Sequence, residues 1–468
     1  MKTLFQLLFA LCAAGLICVP NGRAQSTNFT LLHNFTGTGG DGASPHAGLV
    51  EGSDGTLYGT TSGGGSGIGY GTVFRLNKDG SSYTVLHSFT GGPSDGSNPQ
   101  GGLMEGSDGV LYGTTEEGGS AEEGGSAGAG TVFKLNKDGS GYVVLLNFQF
   151  LNRDGYYPAA ALVEGSDGKL YGTCWFGGTT DGGTVFKLNR DGSGYAVLRS
   201  FTGCSYPCAG LLEGSDGALY DTTSEGGSWN WGTVFKLNKG GSGYAILRSF
   251  QYLNDDGYGP VASVVEGGDG ALYGTGQFGG SAGNGTVFKL NKDGGGYTVL
   301  YSFLFSDGSL PSSAVVEWGD GTLYGTTSGD GSTYDGTVFK LKKDGSGYAV
   351  LHSFTGTGSD GARSYAGLAV GSDGGLYGTT SEGGNWNYGT VFRMTGLGRP
   401  RLRLQLTQTN TDILSWPSPA TGFALEENNI LATTNWTNTS QVPFNDGTMK
   451  SVTVRVSSGA KFYRLKAP

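Results

Sequence analysis

Two short strings set tryptophan and tyrosine among glycine, serine and asparagine: Ser228-Trp229-Asn230-Trp231-Gly232 and Asn385-Trp386-Asn387-Tyr388-Gly389. Flat apolar ring faces beside hydrogen-bonding groups suit stacking on a sugar ring or gripping a protein surface. Trp175 and Phe176 repeat the theme, and Tyr70, Phe278 and Tyr334 extend it. Aromatic rings in such settings also pack between structural units, so both roles stay open. The ligand-binding candidates are Trp175, Phe176, Trp229, Trp231, Trp386 and Tyr388, with Trp229, Trp231 and Trp386 foremost.

Other chemistry is sparse. Of four histidines, His33, His87 and His352 recur at one position of a repeated string, which marks a packing or strand-edge site and no catalytic triad. Gly-x-Ser-x-Gly occurs at 124–128 and 279–283, but with 92 glycines in 468 residues such matches arise by composition, and neither sits before a helix. No catalytic residue is assigned. Asp41, Asp95, Asp154, Asp256, Asp307 and Asp360 each begin an Asp-Gly pair, and carboxylates on one rim suit calcium. Asp-Gly is also an ordinary turn maker, so no metal ligand is assigned and calcium stays a possible cofactor. A repeated acid (Glu51, Glu105, Glu164, Glu213, Glu266, Glu317) and a repeated base (Arg75, Lys134, Lys187 and their equivalents) suggest structural ion pairs. Outside the leader three cysteines remain, and Cys204 with Cys208 is the expected disulfide, Cys174 being the rival partner.

The elements that must carry these residues are repeats. Leu-Tyr-Gly-Thr-Thr or a close variant recurs with its tyrosine at 58, 112, 171, 220, 273, 324 and 377, at spacings of 49 to 59 residues. Gly-Thr-Val-Phe-Lys-Leu follows each copy. A preceding Ala-Gly-Leu-Val-Glu-Gly string and a following Tyr-Thr-Val-Leu-His-Ser-Phe string complete the unit. Each reads as a short strand rich in Val, Tyr, Phe, Leu and Thr between glycine turns, and Asp-Gly pairs suit the positive φ of tight hairpins. Four antiparallel strands per unit of about fifty residues make a β-propeller blade.

The fourth strand appears only six times after a third strand. Its seventh copy is Phe29-Thr-Leu-Leu-His-Asn-Phe35, ahead of the first unit. The expected fold is therefore all-β: a seven-bladed β-propeller over 25–398, closed by an N-terminal clasp strand (29–35) that completes the last blade. The alternating segments of 399–468 predict a small C-terminal β-sandwich-like module.

The units resemble the GloVer tandem repeat of secreted bacterial proteins, named for Gloeobacter and Verrucomicrobia. The resemblance covers 29 to about 395 and rests on the combined "GLVEGSDGTLYGTT" and "GTVFRLNKDG" pattern. It implies an exported or surface protein and carries over neither an activity nor catalytic residues. Members often end in a sorting tail; this chain ends "KFYRLKAP".

Residues 1–24 have the layout of a signal peptide: Lys2, an apolar run from Leu4 to Val19, and small residues near Ala24. The expected protein is secreted or on the cell surface, with no transmembrane segment in the mature chain. A net charge of -10, or -12 without Lys2 and Arg23, and the lack of a basic stripe argue against nucleic acid. Alternating strand direction puts the Ser-Asp-Gly and Asn-Lys-Asp-Gly turns on one face and the long variable connections on the other. The expected function is recognition of a polysaccharide or a surface protein through that variable face. Two alternatives are an extracellular glycan hydrolase or lyase with acids at the channel mouth, and a structural adhesin without a small-molecule ligand.

Overall fold

The computed structural model describes residues 16–18, 27–67, 69–120, 128–150, 154–203, 205–252 and 255–397, and the strands of the C-terminal part. No helix occurs among the described residues. Seven four-stranded antiparallel sheets follow one another along the chain. Blade 1 has an inner strand Val50–Glu51, a second strand Leu57–Thr61, a third Thr72–Leu76 and an outer Thr84–Ser88. Blades 2 to 6 repeat this over 104–147, 163–200, 212–249, 265–302 and 316–353. In blade 7 the outer strand is Asn28–Asn34, paired antiparallel with Thr390–Thr395.

The repeated strings form blades because their apolar positions fill the space between sheets. Leu57, Tyr58, Val73 and Phe74 and their counterparts are buried, and Phe35, Phe89 and their equivalents seal each unit against the next. The glycine of Leu-Tyr-Gly-Thr-Thr is required by close approach: a Cβ on Gly59 would lie 2.6 Å from Phe74 Cζ and 2.8 Å from Leu49 Cδ2. Blade 4 breaks this rule with Asp221. The threonine after the glycine joins blades: Thr60 Oγ1 donates to the Gly101 carbonyl, and Thr379 Oγ1 donates to Ala47, from blade 7 to blade 1. A register shift between third and outer strands, at Val73/Phe74 in blade 1, recurs in every blade and bends the outer strand.

The C-terminal part contains two four-stranded sheets. One is built on the pairing of Thr411–Pro417 with Met449–Arg455, the other on Ala424–Asn428 with Lys461–Lys466. Leu16–Cys18, within the expected leader, adds in parallel to Lys461–Lys466. The rest of the leader lies outside the described residues, as does most of the 124–128 string.

Candidate functional site

The turn face is a closed set of partnerships. The glutamate that ends six of the seven inner strands reaches the turn of the preceding blade: Glu105 accepts from the Ser53 backbone N–H and hydroxyl, both at 2.7 Å, and takes Lys137 Nζ at 2.5 Å. Glu213 and Glu266 repeat this clamp with Ser166 and Lys239, and with Ser215 and Lys292. Glu51 carries it across the closure to Ser372 and Lys78. Burial opposes ionisation of Glu105, but the lysine and serine contacts outweigh it and hold the carboxyl below its usual range.

The bases in this clamp are those of the Asn-Lys-Asp-Gly turns. The third-strand bases expected from the sequence go elsewhere: Arg75 donates to the Lys137 carbonyl and Arg393 pairs with Asp373. The third strand ends short of the glutamate, and the turn lysine is three residues further on.

Glu105→Ala should cost about 1–2 kcal/mol in a denaturant midpoint, because it strands a backbone N–H and an ammonium. Glu317→Ala should cost less, since its partner turn has Gly268 in place of serine. An equal loss would mean that the serine hydroxyl contributes nothing.

The joint between blades 6 and 7 lacks the clamp. Val370 replaces the glutamate, Gly319 the serine, and Trp318 a glycine. Trp318 is buried in a cluster with Tyr324, Met394 and Leu397, where the chain leaves the last blade. A cavity of about 1260 Å³ opens on this face, lined by Val50, Met104, Val163 and Ala369 with clamp residues at its rim.

The rim aspartates of the opposite face are also structural nodes. Asp41 accepts from the Thr36 N–H, the Thr36 hydroxyl and the Gly42 N–H, and from Tyr83 of the next blade at 2.6 Å; His33 Nε2 lies 3.4 Å away. His33 stacks on Tyr83 with centroids 3.8 Å apart. His87, Asp95 and Tyr142 repeat the arrangement, and Arg248 takes the histidine's place beside Asp256 and Tyr297. Burial works against the charged form of Asp41, yet the hydrogen bonds from His33, Tyr83 and Thr36 win and bring its pKa down to about 2. No group of three His, Cys, Asp or Glu side chains converges among the described residues.

What remains free is the variable face, and its backbone frame is regular. In each blade one residue leading into the inner strand has positive φ: Ser44 (53°), Asn98 (55°), Tyr157 (57°), Tyr206 (51°), Gly259 (59°), Leu310 (54°) and Arg363 (54°). Each is pinned twice. The N–H of Ser44 donates to the Tyr388 carbonyl of blade 7, and its carbonyl accepts from the Ser62 N–H of its own blade; Arg363 does the same with Asp335 and Ser381. Holding Tyr, Leu or Arg in the left-handed region costs about 1 kcal/mol each. One scaffold thus presents five kinds of side chain, Ser, Asn, Tyr, Leu and Arg, with tyrosine twice and one glycine.

The aromatic residues cluster on blades 3 to 5. Trp231, Tyr252 and Tyr258 have ring centroids 4.8 to 5.5 Å apart, and Phe278 stacks on Tyr258 at 5.6 Å. Trp231 is 40% exposed and Tyr252 59%. Trp175 and Phe176 stack on each other, and Phe176 reaches Tyr156 of its own blade and Tyr206 of the next. These two are half-buried and bridge blades. Trp229 and Trp386 stand in solvent at 59% and 63% exposure. Tyr388 is held over the backbone of the 35–42 connection, where a Cβ on Gly37 would come within 2.9 Å of its ring.

The shortest blade connection, 202–209, carries Tyr206 of the Phe176 cluster. Cys208 on it is a free thiol; its sulfur lies 3.9 Å from the Val261 carbonyl of the next blade, and burial with the nearby Asp221 pushes its pKa up to about 12. Cys204 lies outside the described residues. Cys174 is free and buried.

The blade count and the repeated inter-blade bonds define a seven-bladed β-propeller built of tandem repeats. The chain belongs to the Gloeobacter/Verrucomicrobia repeat family, which matches residues 23–217 and 206–449. No protein of curated function matches it. Among solved structures, a fungal alcohol oxidase in complex with copper is similar at 14% identity and a TM-score of 0.51, over 93% of this chain and 94% of that one. An oligogalacturonate lyase from Vibrio parahaemolyticus shares 11% identity at a TM-score of 0.49, over 79% of this chain and 97% of that one. These are likenesses of fold. No helix among the described residues is long and apolar enough to cross a membrane.

Proposed function

We propose that this protein is a secreted or surface-attached module that binds a polysaccharide through the variable face of the propeller. One observation carries the reading: exposed aromatic rings stand on that face, with Trp231, Tyr252 and Phe278 clustered on blades 4 and 5 and Tyr334 and Trp386 on blades 6 and 7, whereas the opposite face commits its repeated carboxylates to inter-blade clamps. Ring faces set among serine, asparagine and glycine offer stacking to sugar rings and hydrogen bonds to hydroxyl groups. Secretion is supported by the leader-like residues 1–24. A bound cation such as calcium is not needed for this mode of binding.

A glycan array probed with the propeller-bearing chain tests it. Binding should appear, and Trp231→Ala with Tyr252→Ala should weaken it at least tenfold at unchanged thermal stability. No binding on a broad array would sink the carbohydrate reading and leave a protein partner; equal binding by the double variant would sink the site.

A further inference from the structure

His46 is the histidine that does not belong to the outer strands. It sits two residues after Ser44, on the segment leading into the inner strand of blade 1, and is half-buried. Its Nδ1 lies 3.1 Å from both the Ser44 carbonyl and the Ser62 hydroxyl. The Ser62 hydroxyl itself donates to the Ser44 carbonyl at 2.8 Å, so the tautomer that satisfies this corner keeps the proton on Nδ1 and leaves a lone pair on Nε2. The ring stacks on Tyr365 of blade 7, centroids 5.6 Å apart and 20° from parallel. No hydrogen-bond partner for the Tyr365 hydroxyl occurs among the described residues.

The same corner holds Arg363, one of the seven left-handed residues, whose Nη1 lies 3.2 Å from Glu382 Oε1. Glu382 is within electrostatic reach of His46. Both members of the pair are about half exposed, so most of the guanidinium donors and the second carboxylate oxygen are open to a ligand. Donors and acceptors alternate here: guanidinium, carboxylate, phenol and imidazole lone pair. The pair is neutral as a unit, and burial lowers the His46 pKa, which keeps the imidazole neutral as well.

From this juxtaposition we infer that His46, Arg363, Tyr365 and Glu382 form a polar subsite for vicinal hydroxyl groups of an uncharged sugar, at the blade 7 to blade 1 corner of the variable face. The inference rests on the carbohydrate reading above and names its ligand class. Adjacent ring hydroxyls each donate and accept one hydrogen bond, which a guanidinium and carboxylate side by side satisfy together. A uronate would meet the carboxylate of Glu382. The aromatic cluster lies on the other side of the channel mouth, so an extended chain would cross the mouth with stacking at one end and hydrogen bonding at the other.

The test is calorimetric titration of the full chain with cellohexaose, mannohexaose and polygalacturonate, for the parent and for Arg363→Gln, His46→Ala, Tyr365→Phe and Trp231→Ala. Thermal midpoints serve as the folding control, and Arg363→Gln, at a half-exposed side chain, keeps the test open if His46→Ala fails to fold. One neutral hexasaccharide should bind, with at least a tenfold loss in Arg363→Gln and a smaller one in Tyr365→Phe. Binding lost in Trp231→Ala but unchanged in Arg363→Gln overturns the subsite and leaves the carbohydrate reading standing. Binding of polygalacturonate alone overturns the ligand class. No binding by the parent overturns both.

Discussion

A chain lacking residues 28–36 is expected to lose the cooperative unfolding transition of the propeller, not merely to shift it. The deletion removes the outer strand of blade 7 and leaves the third strand, Thr390–Thr395, as a bare edge. Phe35, fully buried, packs against Phe74 of blade 1, and Phe29 stacks on His352 and Phe392. Losing the buried Phe35 ring costs about 3–5 kcal/mol, and the half-buried Phe29 ring and the bare ladder add to it, a sum comparable with the whole stability of a domain. An exposed edge of Val391 and Phe392 also invites pairing with another copy. Circular dichroism melting and light scattering should show a broad, low transition and aggregation. Deletion of the C-terminal module should leave the propeller transition in place. A melting curve for the first deletion that overlays the parent curve would mean that the ring does not depend on this strand.

The blades were legible because their information is local and repeated. Leu57-Tyr58-Gly59 and Val73-Phe74 place apolar side chains on both faces of a sheet at a fixed spacing, and seven copies average out the variation. The joints were not legible in this way. Glu105 finds Ser53 and Lys137, and Asp41 finds Tyr83, across gaps of tens of residues that no spacing rule encodes. A signal was present: His33, His87 and His352 each stand eight residues before Asp41, Asp95 and Asp360. Read as a linked pair, these positions would have pointed to inter-blade nodes rather than to a cation rim. The exposed tryptophans were identifiable by composition, but His46 was not, because its role follows from Ser62 and Tyr365, and Tyr365 lies in blade 7.

Asp221→Gly is expected to stabilise the protein. The other six blades have glycine here because a Cβ would press on the phenylalanine ring, yet blade 4 places a whole carboxyl in that space. Both Asp221 oxygens are buried with no well-formed hydrogen bond among the described residues, and burial, only partly offset by the Thr222 N–H close by, raises the pKa well above the usual carboxyl range. Removing an unsatisfied buried polar group relieves about 1–3 kcal/mol, against about 0.5–1 kcal/mol for the extra freedom of glycine in the unfolded chain. The net gain should raise the melting temperature by a few degrees.

The pH dependence separates this effect from simple relief of crowding. A raised folded-state pKa means that the unfolded state loses its proton first, so this group's contribution is intact below about pH 4 and is lost as pH rises toward the folded pKa. Asp41 and Asp95, at about 2, act in the opposite direction: their contribution is present above about pH 4 and lost as pH falls toward 2. The parent should therefore lose stability on both sides of a maximum near pH 4 to 5. Asp221→Gly should flatten the neutral limb and leave the acid limb unchanged. A neutral limb of the same slope in the variant would show that Asp221 is not the group that titrates, and a lower melting temperature would mean that its carboxyl has a partner after all.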